Sequence, residues 1–83
     1  MYNRNNKEIM VIIGKKWQDL NGNTYHTSEV ISKNINFKTE ITYGYGNQFI
    51  WTAEEELLKN YNIDINDYIV IDRVVQVQRK KDL

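Results

Sequence analysis

The sequence predicts an α+β fold, β-β-β-α-β, built as a two-layer sandwich: an antiparallel meander with one helix packed on one face. Three observations predict it. Residues 35–43, "INFKTEITY", alternate for nine positions. Ile35, Phe37, Thr39, Ile41 and Tyr43 share one side, and Asn36, Lys38, Glu40 and Thr42 the other. Residues 49–61 then change period, and Phe49, Ala53, Leu57 and Tyr61 recur every fourth position as a helical stripe. Lastly, Asn21-Gly22 separates two β-rich runs, and a type I′ hairpin turn favours that dipeptide because both central residues need positive φ.

Taken in order, residues 1–7, "MYNRNNK", are polar and without period, and predict a flexible start. "EIMVIIGKKW" at 8–17 is a β-branched run whose continuous apolar character predicts burial on both faces, hence a central position or a subunit contact. Gly14 inside it marks a bulge or a close backbone approach. The returning strand, "TYHTSEVI" at 24–31, alternates weakly, which predicts one polar or functional face. "SKN" at 32–34 is the next turn. Asn47 is the expected N-cap, with a later start at Thr52 as the alternative. Ile50 and Leu58 widen the apolar stripe, and the helix is expected to run three to four turns. Trp51 falls on its far side and is expected to be exposed. The final strand spans 68–80, and Arg73 interrupts its apolar positions, which predicts a bulge or burial on both sides. It lies beside the first strand or at the opposite edge. One domain, 8–80, is expected, closed by a charged tail at 81–83.

Composition narrows the functional classes. The chain has no cysteine, so disulfides and thiolate metal sites are excluded, and a reducing compartment fits. Eleven Lys and Arg balance eleven Asp and Glu, so there is no global basic field of the kind that draws a protein to nucleic acid. The longest apolar run covers only residues 9–13, which predicts no membrane span and no leader peptide, and so a cytoplasmic protein.

No catalytic signature stands out, and no cofactor is expected. His26 is the only histidine, and no H-x-x-H or H-E-x-x-H spacing is present, so no metal site is expected. As a general base it would need a nucleophile and an orienting group. Ser28 shares its strand face, but a hydrogen-bonding or stacking role is the better expectation. Gly44 and Gly46 give the strand-to-helix junction a G-x-G spelling, but Phe49 stands where the dinucleotide fingerprint needs its third glycine. Exposed amides at a helix start can still receive an anion. Aromatics crowd the same region. The candidate binding residues are therefore Trp17, Tyr25, His26, Tyr43, Gly44, Tyr45, Gly46, Gln48 and Trp51. Lys15, Lys16, Arg73, Arg79 and Lys80 would form a basic edge if the first and last strands are neighbours, although such residues also serve simply to block edge aggregation.

Three segments carry a resemblance. Trp17 followed by Gly22-Asn23-Thr24-Tyr25-His26-Thr27, then "TYGYGNQFIWTA" at 42–53, then the closing "RKKDL" at 79–83, resemble a family of small phage-encoded proteins over about residues 15–83. The resemblance brings no activity with it. It implies a phage accessory protein acting inside a bacterium, and members that carry Asp in place of Asn47 keep the helix start. The expectation is a non-enzymatic homo-oligomer that binds a host defence protein or sequesters a nucleotide signal. The alternative is a nucleic-acid-binding module that uses the sheet face and the basic strand ends.

Overall fold

The structure is a computed structural model and describes residues 7–44 and 46–83. Apart from Lys7, the expected flexible start lies outside the described residues, and so does Tyr45. Five strands and one helix make an α+β fold with a mixed sheet. The strands are β1 (Glu8–Gln18), β2 (Thr24–Ser32), β3 (Ile35–Lys38), β4 (Thr42–Tyr43) and β5 (Tyr68–Gln76), and the helix is α1 (Gln48–Glu56). Sheet order is β3-β2-β1-β5, with β4 also on β2. β5 takes the place beside β1 and runs parallel to it, with Glu8 opposite Tyr68 and Lys16 opposite Gln76.

The core lies between α1 and one sheet face. Met10 and Ile12 from β1, Val30 from β2 and Ile35 from β3 meet Phe49, Ala53 and Leu57 from the helix, and Ile65 closes one end. The predicted stripe is therefore the buried one for three of its four residues. A π-helical turn, Leu57–Tyr61, extends the helix to a left-handed Asn62 and swings Tyr61 outward, where its ring stacks on Phe37 at 4.8 Å between centroids. Asn47 sits at the N-cap position without making a side-chain cap hydrogen bond.

Gly14 is a close approach and not a bulge. The β1–β2 register runs unbroken through it, and the Phe49 ring fills the space where a Cβ would stand. The β1–β2 turn also differs from expectation. Only Gly22 has positive φ, so the turn is not type I′. Asp19 organises it instead: its carboxylate accepts from the Asn21 and Asn23 amides, and its carbonyl accepts from Gly22 N–H. Asp19→Ala is expected to cost about 1–2 kcal/mol, read as a lower urea midpoint with an unchanged slope.

The nine-residue alternation is broken in the middle. Lys38 stands opposite Glu29, but Thr42 stands opposite His26, so residues 39–41 face only two residues of β2. That one-residue bulge reverses which side each later residue faces. Ile35 and Phe37 point toward the helix, whereas Tyr43 points to the opposite side of the sheet. Thr39 ties the bulge down: its N–H donates to Ser28 C=O, and its Oγ1 accepts from Ser28 N–H.

β5 has neither the bulge nor the two-sided burial predicted around Arg73. Its register with β1 is continuous over nine residues, and most of it is exposed. After Gln76 the chain turns across the sheet face that α1 leaves open. Lys80 reaches Trp17 and Tyr25, and Lys38 Nζ on β3 donates to the Leu83 main-chain oxygen at 2.6 Å. Among the described residues no helix is long and apolar enough to cross a membrane.

Candidate functional site: an aromatic row on the open sheet face

The antiparallel ladders set three aromatic residues side by side. Trp17 stands opposite Tyr25, and Tyr25 stands opposite Tyr43. Ring centroids are 5.9 Å apart for the first pair, tilted by 31°, and 5.6 Å for the second, edge to face. Geometry of this kind is the favourable one for aromatic pairs. The row depends on the bulge: if the same residues paired in an unbroken register, Thr42 would stand opposite Tyr25 and Tyr43 would face the helix. Tyr43 stays 60% exposed at the outer end. With Asp19, Ile41 and Lys80 the row lines a pocket of about 290 Å³.

Tyr43 also belongs to a second, larger depression of about 530 Å³. Gly44, Gly46, Asn47, Gln48 and Trp51 form the rest of its wall. Trp51 is 62% exposed on the outer side of α1, as its phase predicts. The surface thus continues from Trp17 through Tyr25 and Tyr43 to Trp51.

His26 is not part of that surface. It points to the helix side of the sheet and is 1% exposed. Nδ1 lies 3.1 Å from the Gly44 carbonyl oxygen and Nε2 lies 2.8 Å from Thr52 Oγ1. A carbonyl only accepts, so Nδ1 carries the hydrogen, and in the neutral ring Nε2 accepts from the Thr52 hydroxyl. An imidazole held by a carbonyl and touching a hydroxyl has the outline of an activated nucleophile. Here both nitrogens are engaged inside the fold, and the ring clasps the strand-to-helix junction onto the helix. Ser28, the hydroxyl that shares His26's strand face, donates to the Phe49 carbonyl at 2.6 Å instead. Gly44 is buried in the same clasp at φ +150, and a Cβ there would meet Gln48 Cγ at 2.5 Å and His26 Cε1 at 3.1 Å. This glycine is required by space and by backbone together.

The basic residues divide. β1 and β5 are neighbours, and Lys15 and Arg73 share the open face. Lys80 joins them beside the aromatic row. Lys16 points to the helix side, and the Arg79 Nε pairs with Asp82 at 3.3 Å. Acidic groups interleave: Glu29 flanks Ile13 across from Arg73, and Asp19 lies in the pocket with Lys80. Among the described residues no group of three His, Asp or Glu side chains is placed to hold a metal.

Sequence reasoning missed the aliphatic half of the open face. Ile31, Val11 and Ile71 form one cross-strand row, and Ile9 and Ile69 form another beside it. Four of these five side chains are exposed and Val11 is half-buried. The signal was present in "EIMVIIG" and "YIVI", but dense apolar runs read as burial on both faces, when among the described residues these rows are left largely uncovered on one face.

The class defined by these features is a small α+β sandwich with one covered and one open sheet face, the open one carrying aliphatic rows and an aromatic end. No protein-family model, no curated protein and no solved structure matches the chain.

Proposed function

We propose that the chain is a non-enzymatic binding protein whose partner is another protein, docked on the open sheet face. The observation that carries this is the aromatic row, with Trp17 and Tyr25 half-buried and Tyr43 exposed at its end, on the same sheet face as the exposed aliphatic rows. Aromatic anchors near an apolar centre with charges at the rim are the anatomy of a protein interface. Here Lys80 lies beside the aromatic row, and Lys15 and Arg73 stand between it and the aliphatic rows. A nucleotide fits less well, because the three rings touch one another and leave no parallel slot for a base. The phage resemblance makes the partner a host defence protein, and the chain a counter-defence accessory protein that works as a homo-oligomer.

Nucleic acid is the second reading, favoured by Lys15, Arg73 and Lys80 lying on the aromatic face. The two are separated by one set of experiments. Tagged protein expressed in the bacterial host is expected to retain one host protein in stoichiometric amount. The Trp17→Ala, Tyr43→Ala double variant is expected to release it while keeping its circular dichroism spectrum. No thermal shift is expected with adenine or cyclic nucleotides. Affinity for an oligonucleotide that falls steeply with salt would favour the nucleic-acid reading. Retention of the host protein by the double variant would remove the aromatic row from the proposal.

A further inference from the structure

We propose that the outer edge of β5 pairs antiparallel with the same edge of a second copy, joining two sheets into one across a two-fold axis at Ile71. This deepens the homo-oligomer part of the functional reading and is independent of the docking part.

The backbone points that way. Val77 N–H donates to the Lys16 carbonyl at 2.7 Å, and Lys16 stands opposite Gln76. In a parallel ladder alternate residues turn both backbone groups to the same side. Ile69, Ile71, Arg73 and Val75 therefore serve β1. Val70, Asp72, Val74 and Gln76 turn their N–H and C=O groups outward, and among the described residues no strand pairs with them. An unpaired row of this length is a template for another strand. Of the devices that blunt such an edge, Tyr68–Gln76 carries only the charges of Asp72 and Arg73: it has no proline, no lysine and no bulge. Its side chains are exposed on both faces, with Ile71 at 51%, Val74 at 42% and Val75 at 44%.

The opposite edge of the sheet is closed to pairing. β3 has four residues, β4 has two, and the bulge at 39–41 separates them. A sheet with a single usable edge stops at two copies, where two usable edges would propagate a fibre.

Charge selects the register. A two-fold axis perpendicular to the sheet sets residues of the same face opposite one another. An axis at Asp72 would place that carboxylate against its own counterpart, and an axis at Arg73 would oppose two guanidiniums, both destabilising. An axis at Ile71 sets Ile71 against Ile71, Val70 against Asp72, Ile69 against Arg73 and Tyr68 against Val74. Residues 68–74 then pair with no like charges opposite, and axes farther toward either end shorten the ladder. Such a contact is about 23 Å long and, counting side chains on both faces, about 20 Å deep. It removes on the order of 1,000 Å² in total, the lower bound for a specific interface. The net charge of zero sets up no repulsion between copies.

The chain lacks cysteine, so an introduced one reports cleanly. In the proposed register Ile71 occupies a non-hydrogen-bonded pair, whose Cα separation of about 4.5 Å falls within disulfide reach. Under mild oxidation Ile71→Cys is expected to give a covalent dimer. Ile69→Cys lies on the same face at similar exposure, but about 13 Å from its counterpart, and is expected to stay monomeric. Sedimentation velocity of the unmodified chain is expected to show a concentration-dependent dimer. Asp72→Pro removes an outward N–H that β1 does not use, and is expected to weaken that dimer at least tenfold while the fold persists. Three results would overturn the proposal: a monomer at every concentration, equal crosslinking at 69 and 71, or a dimer indifferent to Asp72→Pro. Failure here leaves the host-protein experiment standing, and the reverse also holds.

Discussion

Gly14→Ala is expected to destabilise the fold by about 3 kcal/mol, the upper range for forcing extra atoms into a packed core. A Cβ at Gly14 would lie 2.6 and 2.9 Å from the two Cδ atoms of Phe49. Phe49 has no room to withdraw. It is the largest fully buried side chain, and its own carbonyl is held by the Ser28 hydroxyl. Against a total stability of roughly 4–12 kcal/mol for a chain of this size, the loss is a large fraction. Neighbouring strand residues carry Cβ atoms without strain, so the backbone itself is not the obstacle. The check is a double-mutant cycle with Phe49→Leu by urea unfolding. The smaller side chain is expected to reduce the penalty of Gly14→Ala by about 1–2 kcal/mol, a coupling typical of residues in contact. Equal penalties in both backgrounds would mean that the glycine is there for another reason.

The second large effect is expected at His26. His26→Leu keeps the volume roughly constant and removes both ring nitrogens. It strands the buried Gly44 carbonyl and leaves the Thr52 hydroxyl without its partner. Each orphaned group costs about 1–3 kcal/mol. Thr52 can turn its hydroxyl to a carbonyl of its own helix, so the larger share falls on Gly44. A loss of about 3 kcal/mol is expected for His26→Leu and about 1 kcal/mol for Thr52→Val. The double variant should lose less than their sum, because one hydrogen bond is removed by either change. The junction at Gly44 is also expected to show faster amide exchange in His26→Leu than the β1–β2 ladder does. Additive losses would mean that the His26–Thr52 contact contributes nothing to the clasp.

These two residues show what was legible in the chain. The helical stripe was read correctly because Phe49, Ala53 and Leu57 obey a local period, and a local period needs no knowledge of partners. Gly14 was marked as a close approach or a bulge, and only the tertiary position of Phe49 decides between them. The central place of β1 followed from its dense apolar character, but its open face did not, since a run of Ile and Val cannot say whether the second cover comes from the same chain. His26 joins the aromatics in the sequence reading as a hydrogen-bonding or stacking residue, yet adjacent strand residues face opposite sides, so His26 lies under the helix and Tyr25 on the open face. The Asp19 carboxylate replaced the expected turn type, a competition between side chain and backbone that the Asn-Gly dipeptide conceals. Trp17, Tyr25 and Tyr43 were named individually, whereas their alignment in one row rests on pairing register, which no single segment contains.

The bulge at 39–41 has a consequence for how this protein can change over time. Its single surplus residue lets a segment that alternates without a break in sequence send Ile35 and Phe37 to the helix side and Tyr43 to the open side. Losing one residue from 39–41 would leave two residues opposite Ser28 and Thr27, a regular ladder in which Thr42 stays opposite His26 and Tyr43 opposite Tyr25. The loop can therefore shorten by one residue without moving Tyr43 off the open face. Chains that lack the surplus residue would thus be expected to keep both the aromatic row and the helix-side core.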